Sequence, residues 1–268
     1  MAMTTLVRFD DTMPKGKWRR FWNRMSGRRV ILSAEKTAGA SYCLVTARTF
    51  DGVPWAELEE AVGRGGQAVF PKGTSLPKEL GVSRVDGEPL RRRILLNGAI
   101  WALEQAASAA DAGEVALLDR SGRYASLVPR LMQSCRALTV VTAHTEEYHK
   151  LGERLFGMLG AAPMVVERAD GLCGCRAVLA PEGLSGFGAL EKPPLLFSSD
   201  PREGLSLTAD DIQTPFSRPM LDRYDPFELL TAFRGERLFR DVGSLVPHSM
   251  TEGTRRLPLT EIAARFAP

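Results

Sequence analysis

The chain has 268 residues, 44% of them hydrophobic and 25% charged, values that suit a globular protein with a full core and exclude a disordered or collagen-like one. The net charge is only +3 but unevenly placed: residues 1–36 carry nine Lys/Arg against three acids, a net +6 that leaves the remainder at −3. No apolar run approaches the roughly 20 residues of a membrane span, and the four cysteines, Cys43, Cys135, Cys173 and Cys175, are too few and too irregular for a disulfide framework.

The N-terminus lacks a continuous apolar segment before a small-residue cleavage site, so the expected protein is soluble and cytoplasmic. Residues 4–9 and 29–34 read as strands. Between them Trp18, Phe21, Trp22 and Met25 fall at i, i+3, i+4 and i+7, one face of a helix, while segment 15–29 carries seven Lys/Arg and no acid. A basic amphipathic helix of this kind binds nucleic acid or an anionic membrane surface, or packs its aromatic stripe on the protein's own core with the charges solvated; the last is the favoured reading. Residues 42–47 suggest a strand, 55–62 a helix stopped by Gly63 and Gly65, and 67–70 a short strand. Pro89 suits the first position of a helix reaching about residue 109. From 94 to 103 that helix is apolar on nearly every side, which predicts burial.

A regular alternation follows. Strands are expected at 115–118, 138–141, 164–166 and 177–180, with a further edge strand at 195–197. Tyr124, Leu127, Val128, Leu131 and Cys135 keep helical spacing, and Tyr148, Leu151, Leu155 and Leu159 line a second helix with Thr145 as its cap, Glu146 and Glu147 in its first turn and Gly160 at its end. This spacing implies right-handed parallel crossovers. Past residue 200 the chain reads as irregular, except for a helix capped by Asp225, opened by Pro226 and carrying Glu228 as a capping-box acid, and a short helix at 260–266. The expected architecture is α/β: a parallel Rossmann-like sheet with helices on both faces, an N-terminal α/β subdomain and a C-terminal helical tail. The expected divisions are 1–88, a connecting helix at 89–109, the Rossmann-like domain at 110–200 and the tail at 201–268.

Three stretches carry a resemblance: V-A-L-L-D-R-S-G-R-Y-A-S-L-V-P-R-L from Val115, L-T-V-V-T-A-H-T-E-E-Y from Leu138, and C-R-A-V-L-A-P-E-G from Cys175. Over about a quarter of the chain the pattern resembles the nucleotide domain of the shikimate dehydrogenase and glutamyl-tRNA reductase class. That resemblance implies a nicotinamide cofactor at the first strand, and the residues depart from it there. A dinucleotide site needs G-x-G-x-x-G, and the corresponding stretch is Asp119-Arg120-Ser121-Gly122-Arg123-Tyr124. Asp119 stands at the first glycine position with a repelling charge, Tyr124 stands at the last with a bulky ring, and Thr142-Ala143-His144 offers no carboxylate for a ribose hydroxyl. Ordinary NAD(P) binding is therefore not expected, and no cofactor is assigned.

The candidate ligand residues lie where three strands end: Asp119, Arg120, Ser121, Gly122 and Arg123; Thr142 and His144; and Gly183, Ser185 and Gly186. Arg120 and Arg123 can hold an anion at a helix start. Asp119 serves either a ligand or, as an Asx-type acceptor, its own loop. The start of a metal-binding D-x-S-x-S motif fails because its third ligand would be the cation Arg123. The 183–188 loop lets a ligand approach backbone or simply turns the chain. Cys173-Gly174-Cys175 lacks the second pair a zinc site wants, so buried thiols are the plainer reading. His144 can act as an acid or base near Asp119, whereas His149 is read as inert. Arg91, Arg92 and Arg93 open the long helix against its dipole, either as a solvated charge run or facing an acidic or phosphate partner. The expected function is binding of a small anionic ligand or a protein partner, with an atypical nicotinamide-dependent oxidoreductase and a nucleic-acid or membrane-surface binder through residues 15–29 as the alternatives.

Overall fold

The computed structural model describes residues 4–12, 29–50, 52–105, 112–169, 172, 174–187, 195–234 and 242–266. In chain order the first part runs β1 (Thr4–Asp10), β2 (Val30–Thr37), β3 (Ala40–Arg48), α1 (Trp55–Val62), β4 (Gln67–Ala68), β5 (Ser83–Arg84) and the long helix α2 (Glu88–Gln105). There follow β6 (Glu114–Leu118), α3 (Val128–Ser134), β7 (Ala137–Val141), α4 (Thr145–Leu159), β8 (Met164–Val166), β9 (Ala177–Ala180), β10 (Leu195–Ser198) and β11 (Leu205–Ser206). The last part holds α5 (Arg218–Arg223), α6 (Pro226–Ala232), β12 (Ser249–Glu252), β13 (Arg255–Pro258) and α7 (Leu259–Ala264). By contact the chain forms two units, Met1–Pro89 with Thr214–Val242 and Leu90–Gln213 with Gly243–Pro268. Among the described residues no helix is long and apolar enough to cross a membrane. The tryptophan stripe at 18–25 lies outside the described residues.

In the first unit β1 pairs parallel with β3, and β2 pairs antiparallel with β3. Backbone bonds between Val7 and Val69 and between Val69 and Thr5 tie β1 to the end of β4, which pairs parallel with β5. Strand β1 therefore lies inside the sheet, and its Leu6 and Val7 are both buried, one on each face because successive side chains alternate. One face packs Val7, Val45, Ala47 and Phe70 with Leu58 of α1. Tyr42 meets Phe233 edge-on at 6.0 Å, and Tyr224 donates its hydroxyl to the Val7 carbonyl at 2.9 Å. Asp225 caps α6 as expected, accepting from the amides of Phe227 and Glu228. The capping-box role expected of Glu228 is not taken. Its carboxylate turns to the Arg84 guanidinium at 3.1 Å, a charge-assisted bond that outcompetes a neutral backbone donor. Arg84 also donates to the carbonyl of Thr74 at 2.8 Å, so one cation staples the 70–74 loop to α6.

The second unit is built on an eight-stranded sheet ordered β13-β12-β11-β10-β9-β6-β7-β8. From β8 to β11 every pairing is parallel. Counted from β6, those six strands stand in the order 3-2-1-4-5-6, the doubly wound Rossmann-like order, with the reversal between β6 and β9. Their sequences are nearly continuous apolar runs because both faces are covered; Val115, Leu117, Val140, Leu179 and Phe197 are fully or almost fully buried. The tail expected to be irregular and helical adds three strands. Gly253, at φ +60°, opens the two-residue turn between β12 and β13, a conformation such hairpins require.

Helix α2 is buried from Ile94 to Leu103 except at the half-buried Trp101, much as its composition predicts. Asn97, in the middle of it, donates to the carbonyls of Gly243 and Leu245, both at 2.9 Å. A Cβ on the adjacent Gly98 would overlap Met250 and lie 2.7 Å from Pro247, so only glycine allows this approach. Asp211 clasps the antiparallel edge. Its fully buried carboxylate accepts from the Thr208 amide and hydroxyl, both at 2.7 Å, from Ser249 Oγ at 2.7 Å and from Thr251 Oγ1 at 3.0 Å, with Arg256 Nε at 3.4 Å.

Candidate functional site

Rossmann-like sheets bind ligands at the carboxyl ends of their strands, at the reversal of strand order. That reversal brings the loop after β6, residues 119–124, beside the loop after β9, residues 181–187; the loop after β7, residues 142–144, flanks the first. The candidate residues are thus placed on three loops at one sheet edge.

Asp119 is completely buried. Its carboxylate accepts from the Tyr124 amide at 2.9 Å, the Arg123 amide at 3.3 Å, Ser121 Oγ at 3.2 Å and the Tyr148 hydroxyl. The Tyr148 side chain comes from α4 and is itself fully buried. Burial first, then the bond to Asp119, push its phenol far above the usual value, so it stays protonated and donates. Asp119 therefore serves its own loop, and of the two readings open in the sequence the Asx-type acceptor matches the geometry. In a dinucleotide site the amides of this turn face a pyrophosphate; here two of them face an internal carboxylate. The helix that should follow is also displaced. Residues 125–127 form a single 3₁₀ turn, and α3 begins only at Val128, so the continuous helix expected from Tyr124 is shorter. Tyr124 is drawn inward by its bond to Asp119 and is 7% exposed. Burial first, and then the nearby Glu182, raise its pKa to about 12, while Arg92, which hydrogen-bonds the phenol, acts the other way.

Arg120 and Arg123 remain on the outside. The Arg120 guanidinium reaches from one loop to the other, bonding Ser185 Oγ at 3.2 Å and lying 5.4 Å above the Phe187 ring, with Gly186 packed beneath it. Stacking on an aromatic face leaves guanidinium edges directed outward for further bonds. The 181–187 loop is more ordered than its glycines suggest. The Gly183 amide donates to the Ala180 carbonyl and the Phe187 amide to Leu184, with Gly183 and Gly186 both at positive φ. The Leu184 amide donates to Glu203, whose carboxylate also takes the Ser198 hydroxyl at 2.5 Å. With these amides engaged inside the loop, an anion arriving here meets side chains.

Thr142 is fully buried; its hydroxyl accepts from the His144 amide at 3.0 Å, and its amide bonds Val166. His144, not Thr145, holds the cap position of α4, and its exposed ring packs against Gly122, where a Cβ would come within 3.0 Å of it. His144 is not among the hydrogen-bond partners of Asp119. A shallow open concavity of about 560 Å³ lies beside it, lined by residues 143–147 and Lys150.

The arginines opening α2 are not a solvated charge run. Arg91 donates twice to the Leu207 carbonyl at 3.1 and 2.6 Å, Arg92 lies 3.5 Å from Glu182, and Arg93 is half-buried with its pKa lowered by burial and by Arg130 nearby. The side chains of Glu182, Glu203 and Phe187 were not marked in the sequence. Glu182 and Phe187 belong to a loop whose glycines drew the reading, and a short acidic turn just past a strand end, Asp200-Pro201-Arg202-Glu203, is the one local signal for Glu203.

Of the C-x-C pair, Cys173 lies outside the described residues; Cys135 and Cys175 are buried and Cys43 partly so. The Cys135 thiol bonds the Leu131 carbonyl at 3.1 Å, and burial pushes its pKa up to about 12. Because the thiolate is the reactive species, Cys135 is expected to resist an aromatic disulfide reagent at pH 8 in the folded protein and to react once urea unfolds it. Fast labelling of Cys135 without denaturant, mapped by mass spectrometry, would contradict its packing.

No protein-family model matches the chain, and comparison with curated proteins and with solved structures returns no match. The Rossmann-like assignment therefore rests on the strand order and pairing.

Proposed function

We propose that this chain binds a small anionic ligand, carrying a carboxylate or phosphate, at the carboxyl edge of its parallel sheet, and that it holds the anion by side chains and not by a dinucleotide turn. The observation that carries this reading is the pair of neighbouring residues Asp119 and Arg120. Asp119 occupies the amides on which a pyrophosphate would sit. Arg120 presents an exposed guanidinium, oriented by Ser185 and Phe187, two residues beyond the reversal point. Arg123 adds a second exposed cation on the same loop, and Ser185 a hydroxyl opposite. The strand order is compatible with the shikimate dehydrogenase and glutamyl-tRNA reductase class, but the filled turn argues against that class's nicotinamide chemistry here.

The test is titration calorimetry at low salt with NAD⁺, NADH, NADP⁺ and NADPH, and separately with inorganic phosphate and citrate. The nicotinamides are expected to show no saturable binding below about 100 μM, a threshold worth roughly 5 kcal/mol. Phosphate or citrate is expected to bind with salt-sensitive affinity, falling about tenfold or more in Arg120→Ala, since a charge-assisted bond contributes about 1.5–3 kcal/mol. Saturable nicotinamide binding, or anion binding indifferent to both Arg120→Ala and Arg123→Ala, would overturn the proposal.

A further inference from the structure

Three polar groups around the Tyr124 phenol have hydrogen-bonding capacity that nothing among the described residues uses. Arg93, in the second turn of α2, is half-buried. Among the described residues none accepts a hydrogen bond from its guanidinium or pairs with its charge. Its polar neighbours are the Tyr124 phenol and the Arg130 guanidinium, and Arg130 is already held by Glu104 at 2.6 and 2.7 Å. Tyr124 keeps its proton at neutral pH, and Arg92, which hydrogen-bonds the phenol, can only donate. The phenol proton is therefore left without an acceptor. Glu182, also beside the phenol, has one carboxylate oxygen 3.5 Å from Arg92, while the other, Oε2, is enclosed and has no donor. The Glu182 side chain is 11% exposed and that of Arg92 31%, so the cluster lies just beneath the surface. Buried charges and polar groups are ordinarily paired. An unpaired cation, donor and acceptor around one phenol outline the complement of a ligand.

We infer that this cluster is a subsite for a carboxylate with a hydroxyl on the adjoining carbon, an α-hydroxy acid, which narrows the anion reading of this sheet edge on which it rests. The ligand's carboxylate accepts from Arg93 and from the Tyr124 hydroxyl, and its own hydroxyl donates to Glu182 Oε2. A planar carboxylate offers two oxygens to these two donors. A phosphate dianion meets repulsion from Glu182 and from Asp119, whose charge also lies near the phenol. An ammonium in place of the hydroxyl is disfavoured by charge. Arg92 has Glu182 and Arg130 has Glu104, and the ligand's carboxylate answers Arg93, so a further cation finds no counterion.

Titration calorimetry of the full chain at low salt with DL-lactate, propionate and DL-alanine tests this, because the three differ only in the hydroxyl, hydrogen or ammonium beside the carboxylate. Lactate is expected to bind about tenfold or more tightly than either of the others. Arg93→Gln and Tyr124→Phe are each expected to weaken lactate about tenfold, and Glu182→Gln to cut the preference for lactate over propionate at least about threefold. Without ligand, Arg93→Gln is expected to melt no lower than the wild type, since it removes a cation that has no partner; a purely structural role for Arg93 would lower the melting temperature. Equal affinity for the three acids, or lactate binding that survives both Arg93→Gln and Glu182→Gln, overturns the inference. If lactate falls only in Arg120→Ala, or if phosphate or citrate binds while none of the three acids does, the subsite fails and the anion-binding edge stands.

Discussion

Replacing Asp119 by alanine is expected to destabilise the second unit by about 3–5 kcal/mol, the cost of removing one partner from a buried, charged hydrogen-bond centre. Four donors converge on this carboxylate, and two of them, the Tyr148 hydroxyl and the Tyr124 amide, belong to buried residues. Water cannot replace the lost acceptor without opening the space between α4 and the end of β6. Asp119→Asn retains one acceptor oxygen but turns an NH₂ toward donors, so an intermediate loss of about 2 kcal/mol is expected. Ser121→Ala, which deletes a partly exposed donor, is expected to cost no more than about 1 kcal/mol. Urea unfolding at pH 7, followed by far-UV dichroism, orders the three variants. A midpoint for Asp119→Ala within error of wild type would mean that the turn amides are not held internally, and it would reopen the dinucleotide reading of the loop.

Asp211→Ala is expected to cost a similar amount, about 3–5 kcal/mol, by a different route. Its carboxylate gathers the Thr208 amide and hydroxyl from one segment and the Ser249 and Thr251 hydroxyls from β12. Beyond this clasp the β12–β13 hairpin holds to the sheet by its short pairing with β11 and by the buried Met250 and Leu257, and a hairpin alone is marginal in water. The loss should therefore be local first. Limited proteolysis is expected to cut between residues 245 and 258 in the variant at a temperature where the wild-type chain is intact, and thermal melting should begin earlier. Ser249→Ala, which removes one of the donors, is expected to cost about 1 kcal/mol. If the hairpin of Asp211→Ala resists protease as the wild type does, the clasp does not hold that edge.

The candidate loops were legible because each strand of the parallel sheet is a short apolar run with a polar residue at its end: V-A-L-L before Asp119, L-T-V-V before Thr142, A-V-L-A before Pro181 and Glu182. Loops at the carboxyl ends of parallel strands are where a doubly wound sheet places its ligands, so the runs alone point to 119–122, 142–144 and 181–186. What Asp119 does there was not legible. An aspartate after a strand reads equally as a ligand and as an acceptor for its own loop, and the deciding partner, Tyr148, lies 29 residues away on another helix. The same holds for Arg91, Arg92 and Arg93. As a run of three cations they read either as solvated or as facing an acidic or phosphate partner, and the Leu207 carbonyl and the Glu182 carboxylate reach them only through the fold.

By itself, the sequence determined the α/β class, the alternation of strand and helix from 114 to 166, the burial of α2 and the absence of the glycines a pyrophosphate needs. All four are properties of a window of a few residues, set by side-chain periodicity, backbone sterics and burial preference. Only the tertiary structure decided that the order is 3-2-1-4-5-6, that Thr214–Val242 joins the first unit while Gly243–Pro268 joins the second, that two short strands complete the far edge of the large sheet, and that a carboxylate fills the turn after β6. The reason is physical: a strand's neighbour and a buried carboxylate's donors are chosen by which distant segments bury apolar surface together and leave no polar group unpaired, a condition imposed on the whole chain at once.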